Sequence, residues 1–277
     1  MTIPNTLLAG RALVESPRWH AQRLWFADWG PGEIVALDPD SGAQEVVATA
    51  AAPPLSFDFL PDGRMIIVAS RTPRLLRREH DGAIVTHVDL AHLGVGWNEI
   101  VIDGRGNTYI NGGGADPQSG NVDLVTAGGS PRRVAEGAAF PNGMAITPDN
   151  RTLILAESHG RRLTAFDIAA NGDLVRRRVW AELGDGAPDG ICIDAEGAVW
   201  YADVPNQRCV RVAEGGRVLD EIAVGRGAFA CMLGGPRRRT LFITAAQWFG
   251  MERMGEMTGS GCVMATEVAV AGAGWPF

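Results

Sequence analysis

Residues 188–203, Pro-Asp-Gly-Ile-Cys-Ile-Asp-Ala-Glu-Gly-Ala-Val-Trp-Tyr-Ala-Asp, read as a turn that delivers one acid, Asp189, into a short apolar strand, Gly190 to Ile193. A polar hairpin, Asp194 to Gly197, then turns the chain into a second strand, Ala198 to Ala202. Asp189 therefore stands where a strand begins, at an edge of the fold. The same grammar recurs along the chain. Twice more it starts with an oxygen side chain able to hold a metal: Glu15 before Ser-Pro-Arg-Trp, and Asn142 in Pro-Asn-Gly.

On both sides of that stretch the pattern repeats, and six similar two-strand units align on their hairpins. They run Ser16 to Asp28, Ser56 to Ser70, Glu99 to Asn111, Asn142 to Ser158, Asp189 to Asp203 and Ala230 to Ala245. Their second strands open near Trp25, Met65, Thr108, Thr152, Ala198 and Thr240, a period of roughly 40–46 residues. Third strands follow, as at Glu33 to Leu37 and Cys209 to Val212, and fourth strands after an Asp/Gly turn, as at Gln44 to Ala48 and Arg217 to Ile222. Four strands per period predict an all-β fold, a six-bladed β-propeller of four-stranded antiparallel blades. Cys262 to Thr266 is the last third strand. Either Glu267 to Ala271 or the N-terminal Asn5 to Ala9 completes that blade, the latter latching the ring. No linker or composition shift divides residues 1–277, which read as one domain. A β-sandwich accounts for alternating strands but not for the sixfold spacing.

A formal charge of -7 and a pI near 5.3 argue against a nucleic-acid partner. All 25 basic residues are Arg, which removes Schiff-base chemistry and a phosphate-loop lysine together. Cys192, Cys209, Cys231 and Cys262 lack paired CxxC spacing, so neither a zinc cluster nor a disulfide framework is expected. Met1 to Arg11 does not resemble a signal peptide and no stretch approaches membrane-spanning length. The default expectation is a cytoplasmic protein with no membrane partner.

In a propeller the first strand of each blade lines the central channel, and its entrance loops ring one mouth. Glu15, Asn98, Asn142 and Asp189 stand at or just before such strands, so they should converge there. Two carboxylates with amide oxygens, and no His or Cys, make a set for Ca2+, Mg2+ or Mn2+, with Zn2+ also compatible. Asn-Gly and Asp-Gly are also ordinary turn dipeptides, and Glu15 before Ser-Pro suits an exposed loop. Residue patterning alone leaves a shared metal site and simple turns both open.

The chain also resembles the family of senescence marker protein, gluconolactonase and luciferin-regenerating enzyme, six-bladed propellers, over essentially its whole length. The resemblance is carried by Glu15-Ser16-Pro17-Arg18-Trp19, by Asn98 followed by an acid, by Pro141-Asn142-Gly143-Met144, and most specifically by Pro188 to Gly197 with Trp200. It implies one divalent cation, Ca2+ first, held by Glu15, Asn142 and Asp189, with Asn98 near the metal or substrate. It implies hydrolysis of lactones, the cation polarising the carbonyl and lowering the pKa of a water. Asp189 or the neighbouring acid Glu99 would take the proton. Two departures bear on substrate. Family sugar lactonases usually carry Arg two residues before the Asn, where this chain has Gly96-Trp97-Asn98, and the acid after Asn98 is Glu99 instead of Asp. A substrate-binding acid aligns near Asp116.

With Gly96 in place of a charged clamp and Trp97 beside it, the pocket is expected to be less polar than a sugar site. The stretch Trp248, Phe249, Met251, Met254 and Met257 strengthens this if it folds over the mouth; the other reading is a cover for the propeller's side or a dimer interface. His159 could reach the mouth or sit in a plain turn. Asp28, Glu157 and Asp203 end second strands, either as a second ring around the cation or as edge polar groups. Ser16 and Ser158 lack a His-Asp partnership, so a serine hydrolase is not expected. Three functions stay open: a metal-dependent lactonase acting on a small lactone or cyclic ester as monomer or homodimer, a phosphotriesterase-like hydrolase, and a non-catalytic calcium-binding or interaction propeller.

Overall fold

Six hairpins set the architecture, and each carries at least one residue in the left-handed region: Ala21 and Gln22, Gly63, Gly106, Asn150, Gly197, and Gly235 with Arg238. Asp side chains hold several of these turns; Asp194 Oδ1 accepts from the amides of Glu196 and Ala198 at 2.9 and 3.0 Å. The computed structural model describes residues 4–50, 53–70, 72–94, 96–113 and 118–276. Among them the strands form six antiparallel sheets of four, one extended to five.

Blade 1 runs Val14–His20, Arg23–Asp28, Glu33–Leu37 and Gln44–Thr49, and blade 2 runs Leu55–Phe59, Met65–Ala69, Arg74–Arg78 and Ile84–Asp89. Blade 3 is Trp97–Ile102, Thr108–Gly112, Gly120–Val125 and Pro131–Ala138; blade 4 is Pro141–Ile146, Thr152–Glu157, Arg162–Ile168 and Leu174–Glu182. Blade 5 is Pro188–Asp194, Val199–Asp203, Arg208–Val212 and Val218–Ala223. In blade 6, Gly227–Gly234, Thr240–Ala246 and Gly261–Glu267 are completed by the N-terminal strand Asn5–Arg11. The first strands of successive blades touch one another around the ring, blade 6 against blade 1, so the expected propeller is observed.

Of the two ways to complete the last blade, the N-terminal strand is the one used; Glu267 ends the third strand and Val268 to Ala271 form no strand. The chain after Glu267 does something the sixfold period did not announce. Gly272–Ala273 adds to the inner edge of blade 5 opposite Ile193 and Asp194, and Trp275 exchanges two 2.8 Å backbone hydrogen bonds with Ile146 of blade 4. Both contacts are at the ends of inner strands remote from Asn142 and Asp189, so this segment lies across the far end of the channel.

The core lies between blades. Phe26, Val35, Trp200, Phe242 and Ile243 pack where blades 5, 6 and 1 meet, and Tyr109, Leu124, Leu153 and Phe166 where blades 3 and 4 meet. The channel itself is polar: Ser16, Arg18, Ser56, Asp58 and Glu99 are all buried. No helix among the described residues is long and apolar enough to cross a membrane.

Candidate active site at the mouth of the channel

Four inner strands bring a polar side chain to one level: Glu15 from blade 1, Asn98 from blade 3, Asn142 from blade 4 and Asp189 from blade 5. The same irregularity accompanies each. Pairing with the second strand slips between Glu15 and Arg18, Trp97 and Ile100, Pro141 and Met144, and Pro188 and Ile191. Such bulges re-aim a side chain that regular pleating would send into a sheet face. Blade 6 slips between Ala228 and Ala230, where it presents Phe229, and blade 2 pairs regularly. Asn142-Gly143 and Asp189-Gly190 are therefore bulges within inner strands, not turns ahead of them. A Cβ on Gly143 would lie 2.6 Å from the Asp189 carbonyl oxygen, and one on Gly190 2.2 Å from the Ala230 Cβ. Only glycine allows the inner strands to approach so closely.

Hydrogen bonds tie the four residues to their neighbours. Asn98 Nδ2 donates to Asn142 Oδ1 at 3.1 Å, and Asn142 Nδ2 approaches Ser158 Oγ at 3.4 Å. Ser158 in turn donates to the Pro188 carbonyl at 2.6 Å, joining blade 4 to the lead-in of Asp189. Asp28, Glu157 and Asp203 take the edge role. They accept from the amides of Leu13, Ala139 and Ala187 at 3.3, 2.7 and 3.4 Å, two or three residues before Glu15, Asn142 and Asp189. Each acid that ends a second strand thus fixes the entry of its own inner strand.

Glu15 is buried and Asp189 partly so. Burial pushes the Glu15 carboxyl well above the usual carboxylate range, and the charges of Asp189 and Glu99 push further. Burial likewise raises Asp189, with Glu99 and Asp203 adding to it. Among the described residues neither forms an ion pair, because Arg18, the nearby guanidinium, is taken by Glu99 at 3.2 Å and Asp58 at 3.4 Å. Two carboxylates outside any ion pair, beside amide oxygens, fit a hard divalent cation. No three His, Cys, Asp or Glu side chains converge among the described residues, so the set depends on its amides.

Glu99 stands one layer down. It lines the narrow throat with Ser16 and Arg18, outside the mouth cavity. Ser16 Oγ, Ser56 Oγ at 3.1 Å and Arg18 all donate to it. Ser16 itself is held at φ 50, and its amide donates to Glu15 Oε2 at 3.3 Å. Strained backbone immediately after Glu15 thus orients that carboxylate from below. Trp97 lies outside the mouth lining as well. Its indole is buried between blades 2 and 3, where Nε1 donates to Asp123 Oδ2 at 3.2 Å. Asp116 lies outside the described residues.

Above the four polar residues opens a cavity of about 390 Å³. Leu13, Trp29, Phe140, Val204, Phe229 and Trp248 give it an apolar wall, and no Arg lines it among the described residues. The stretch after Thr244 thus reaches the mouth through Trp248, while Met257 is buried against Leu13, Val204 and Phe229. The side chains of Met251 and Met254 lie outside the described residues. Trp29 and Phe140 were not singled out in the sequence; both belong to lead-ins or loops whose facing depends on the ring closing.

Residues 13–247 match the family model described as SMP-30/Gluconolactonase/LRE-like region. The chain belongs to this family. It is 28% identical to a 6-deoxy-6-sulfogluconolactonase of Pseudomonas putida, covering 95% of this chain and 94% of that one. It is 25% identical to a pentonolactonase of Haloferax volcanii over 81% and 84% of the two chains. Among solved structures, a luciferin-regenerating enzyme superposes with a TM-score of 0.85 at 20% identity, covering 98% of both chains. A calcium-binding regucalcin from Agrobacterium tumefaciens superposes at 0.82 and 20%, covering 99% and 98%. These superpositions bear on the fold.

Proposed function

We propose that this member of the family is a divalent-cation-dependent hydrolase that opens a lactone less polar than an aldonolactone. The observation that carries the reading is the convergence of Glu15, Asn98, Asn142 and Asp189 beneath an apolar cavity that no Arg among the described residues lines. Two relatives named as lactonases support the reaction class, and a regucalcin described as calcium-binding supports Ca2+ as the first cation to try.

A cation held by Glu15, Asn142 and Asp189 would polarise the lactone carbonyl and acidify a water. Of the two acids read as bases, Asp189 reaches the cavity, whereas Glu99 is engaged by three side-chain donors in the throat. Asn98 faces the cavity from blade 3 and contacts the substrate. Trp29, Phe140, Phe229 and Trp248 receive its apolar part and keep bulk water from the reacting carbonyl. A polyhydroxylated ring would lose water partners against this wall without gaining hydrogen bonds. The buried, unpaired cysteines are in keeping with the cytoplasmic location that we propose.

The test is turnover of an aldonolactone, an apolar lactone and an organophosphate triester by cation-loaded protein. The expected result is a kcat/KM for the apolar lactone higher by about tenfold or more. Preference for the aldonolactone would overturn the assignment of polarity. Turnover of the triester alone would move the protein to the phosphotriesterase-like reading.

A further inference from the structure

The wall that carries Asn142 also carries an imidazole. His159 lines the mouth cavity together with Asn142, Ser158 and Asp189. Its ring stacks on Phe140 with centroids 4.5 Å apart and planes 26° apart. Phe140 is held at φ 59 with 41% of its surface exposed. An aromatic residue in the left-handed region costs free energy that burial does not return here.

The turn that holds His159 is pinned on three sides. The His159 amide donates to the Ala139 carbonyl at 3.2 Å and the Ser158 amide to the Phe140 carbonyl at 3.0 Å, while Glu157 Oε2 accepts from the Ala139 amide at 2.7 Å. Behind the ring, a Cβ on Gly160 would meet Glu157 and Ala139 Cβ at 3.1 and 3.4 Å, so the turn packs close. Ser158, next in sequence, approaches Asn142 at 3.4 Å. The imidazole is thus presented to the cavity on a fixed, partly strained support.

Resting on the lactonase reading, we infer that His159 is the general acid of ring opening. As a water oxygen bonds to the lactone carbonyl carbon, the bond from that carbon to the ring oxygen breaks. The ring oxygen would depart as an alkoxide unless it receives a proton. Glu15 would be held by the cation, Asp189 is occupied with the protons of the attacking water, and the Ser158 hydroxyl is donated to the Pro188 carbonyl. Histidine is the side-chain type that exchanges a proton near neutral pH, and His159 is the one histidine lining the mouth among the described residues. Its ring N–H passes to the ring oxygen, which becomes the product hydroxyl. The water supplies the new carboxyl oxygen and gives its protons to solvent by way of Asp189, and the imidazole is reprotonated from solvent.

The experiment compares two lactones of one skeleton, dihydrocoumarin and octahydrocoumarin. The first releases a phenoxide, which leaves without help; the second releases an alkoxide, which does not. His159→Gln and His159→Ala should each lower kcat/KM on octahydrocoumarin by about 10²-fold and on dihydrocoumarin by less than about threefold. Melting temperature and Ca2+ affinity should match the wild type. An equal loss on both lactones, or no loss on either, would overturn the inference while leaving the lactonase reading intact. A wild-type protein that opens neither lactone would overturn both.

Discussion

Gly143→Ala tests the geometric argument that links fold to site. Gly143 is not in the left-handed region, so a methyl group there meets a steric problem only. Its Cβ would lie 2.6 Å from the Asp189 carbonyl oxygen and from the Ile191 amide nitrogen, and 2.8 Å from the Gly190 Cα. All three are backbone atoms of the blade 5 inner strand, with no side chain to swing aside. Restoring ordinary contact at 3.4 Å requires that strand to retreat by about 0.8 Å. Overpacking of this kind costs about 1–3 kcal/mol. For a chain of this length that lowers Tm by about 3–10 °C. Because Asp189 rides on the displaced strand, Ca2+ affinity should fall with it, by about tenfold or more. Differential scanning calorimetry and calcium titration calorimetry read the two effects. Gly197→Ala is the control: nothing lies within 4 Å of its Cβ and its φ is +76, so it should cost about 1 kcal/mol of backbone strain and leave Ca2+ affinity unchanged. A Gly143→Ala protein with wild-type Tm and wild-type affinity would refute the close-packed inner ring.

Burial works to raise Glu157, but hydrogen bonds from Arg162, the Ala139 amide, Thr164 and Arg177 overcome it and bring the carboxyl down to about 2. A folded-state pKa below the ordinary 4.5 means stability that is present above about 4.5 and lost as pH falls toward 2. The shift corresponds to about 3 kcal/mol, reduced to about 2 because both arginines are a third exposed. Glu157→Gln should therefore lower Tm by about 4–8 °C at pH 7 and by less than half of that at pH 3; an equal drop at both would count against the network. Trp248→Ala should cost the apolar lactone about 10–100-fold in kcat/KM and leave an aldonolactone within about threefold. An equal loss on both substrates would show that Trp248 supports the fold and not the pocket.

The propeller was legible because its hairpins repeat a local chemistry. Pro61-Asp62-Gly63-Arg64 and Asp194-Ala195-Glu196-Gly197 need only turn rules, and Gly63 and Gly197 take the positive φ those rules ask for. The level of Glu15, Asn142 and Asp189 followed from the same spacing. Depth did not. The slip between Trp97 and Ile100 sends the Trp97 indole into the core and Glu99 into the throat, and a bulge leaves no signal in residue type beyond a glycine that also reads as a turn. Gly96, at φ 94 with its Cβ 3.3 Å from the Gly113 carbonyl, shows the same limit: the sequence marked a missing Arg, whereas the backbone there disfavours any side chain. The Gly272–Ala273 strand and the mouth positions of Trp29 and Phe140 exist only once distant blades meet.

On the function proposed above, the mouth holds one catalytic cation between Glu15, Asn142 and Asp189. This is tested most directly by the initial rate of opening of an apolar lactone by chelator-stripped protein titrated with Ca2+. The stripped protein should show no turnover above background, recovery should saturate at one ion per chain, and Glu15→Gln should not recover. An undiminished rate in excess chelator would contradict this.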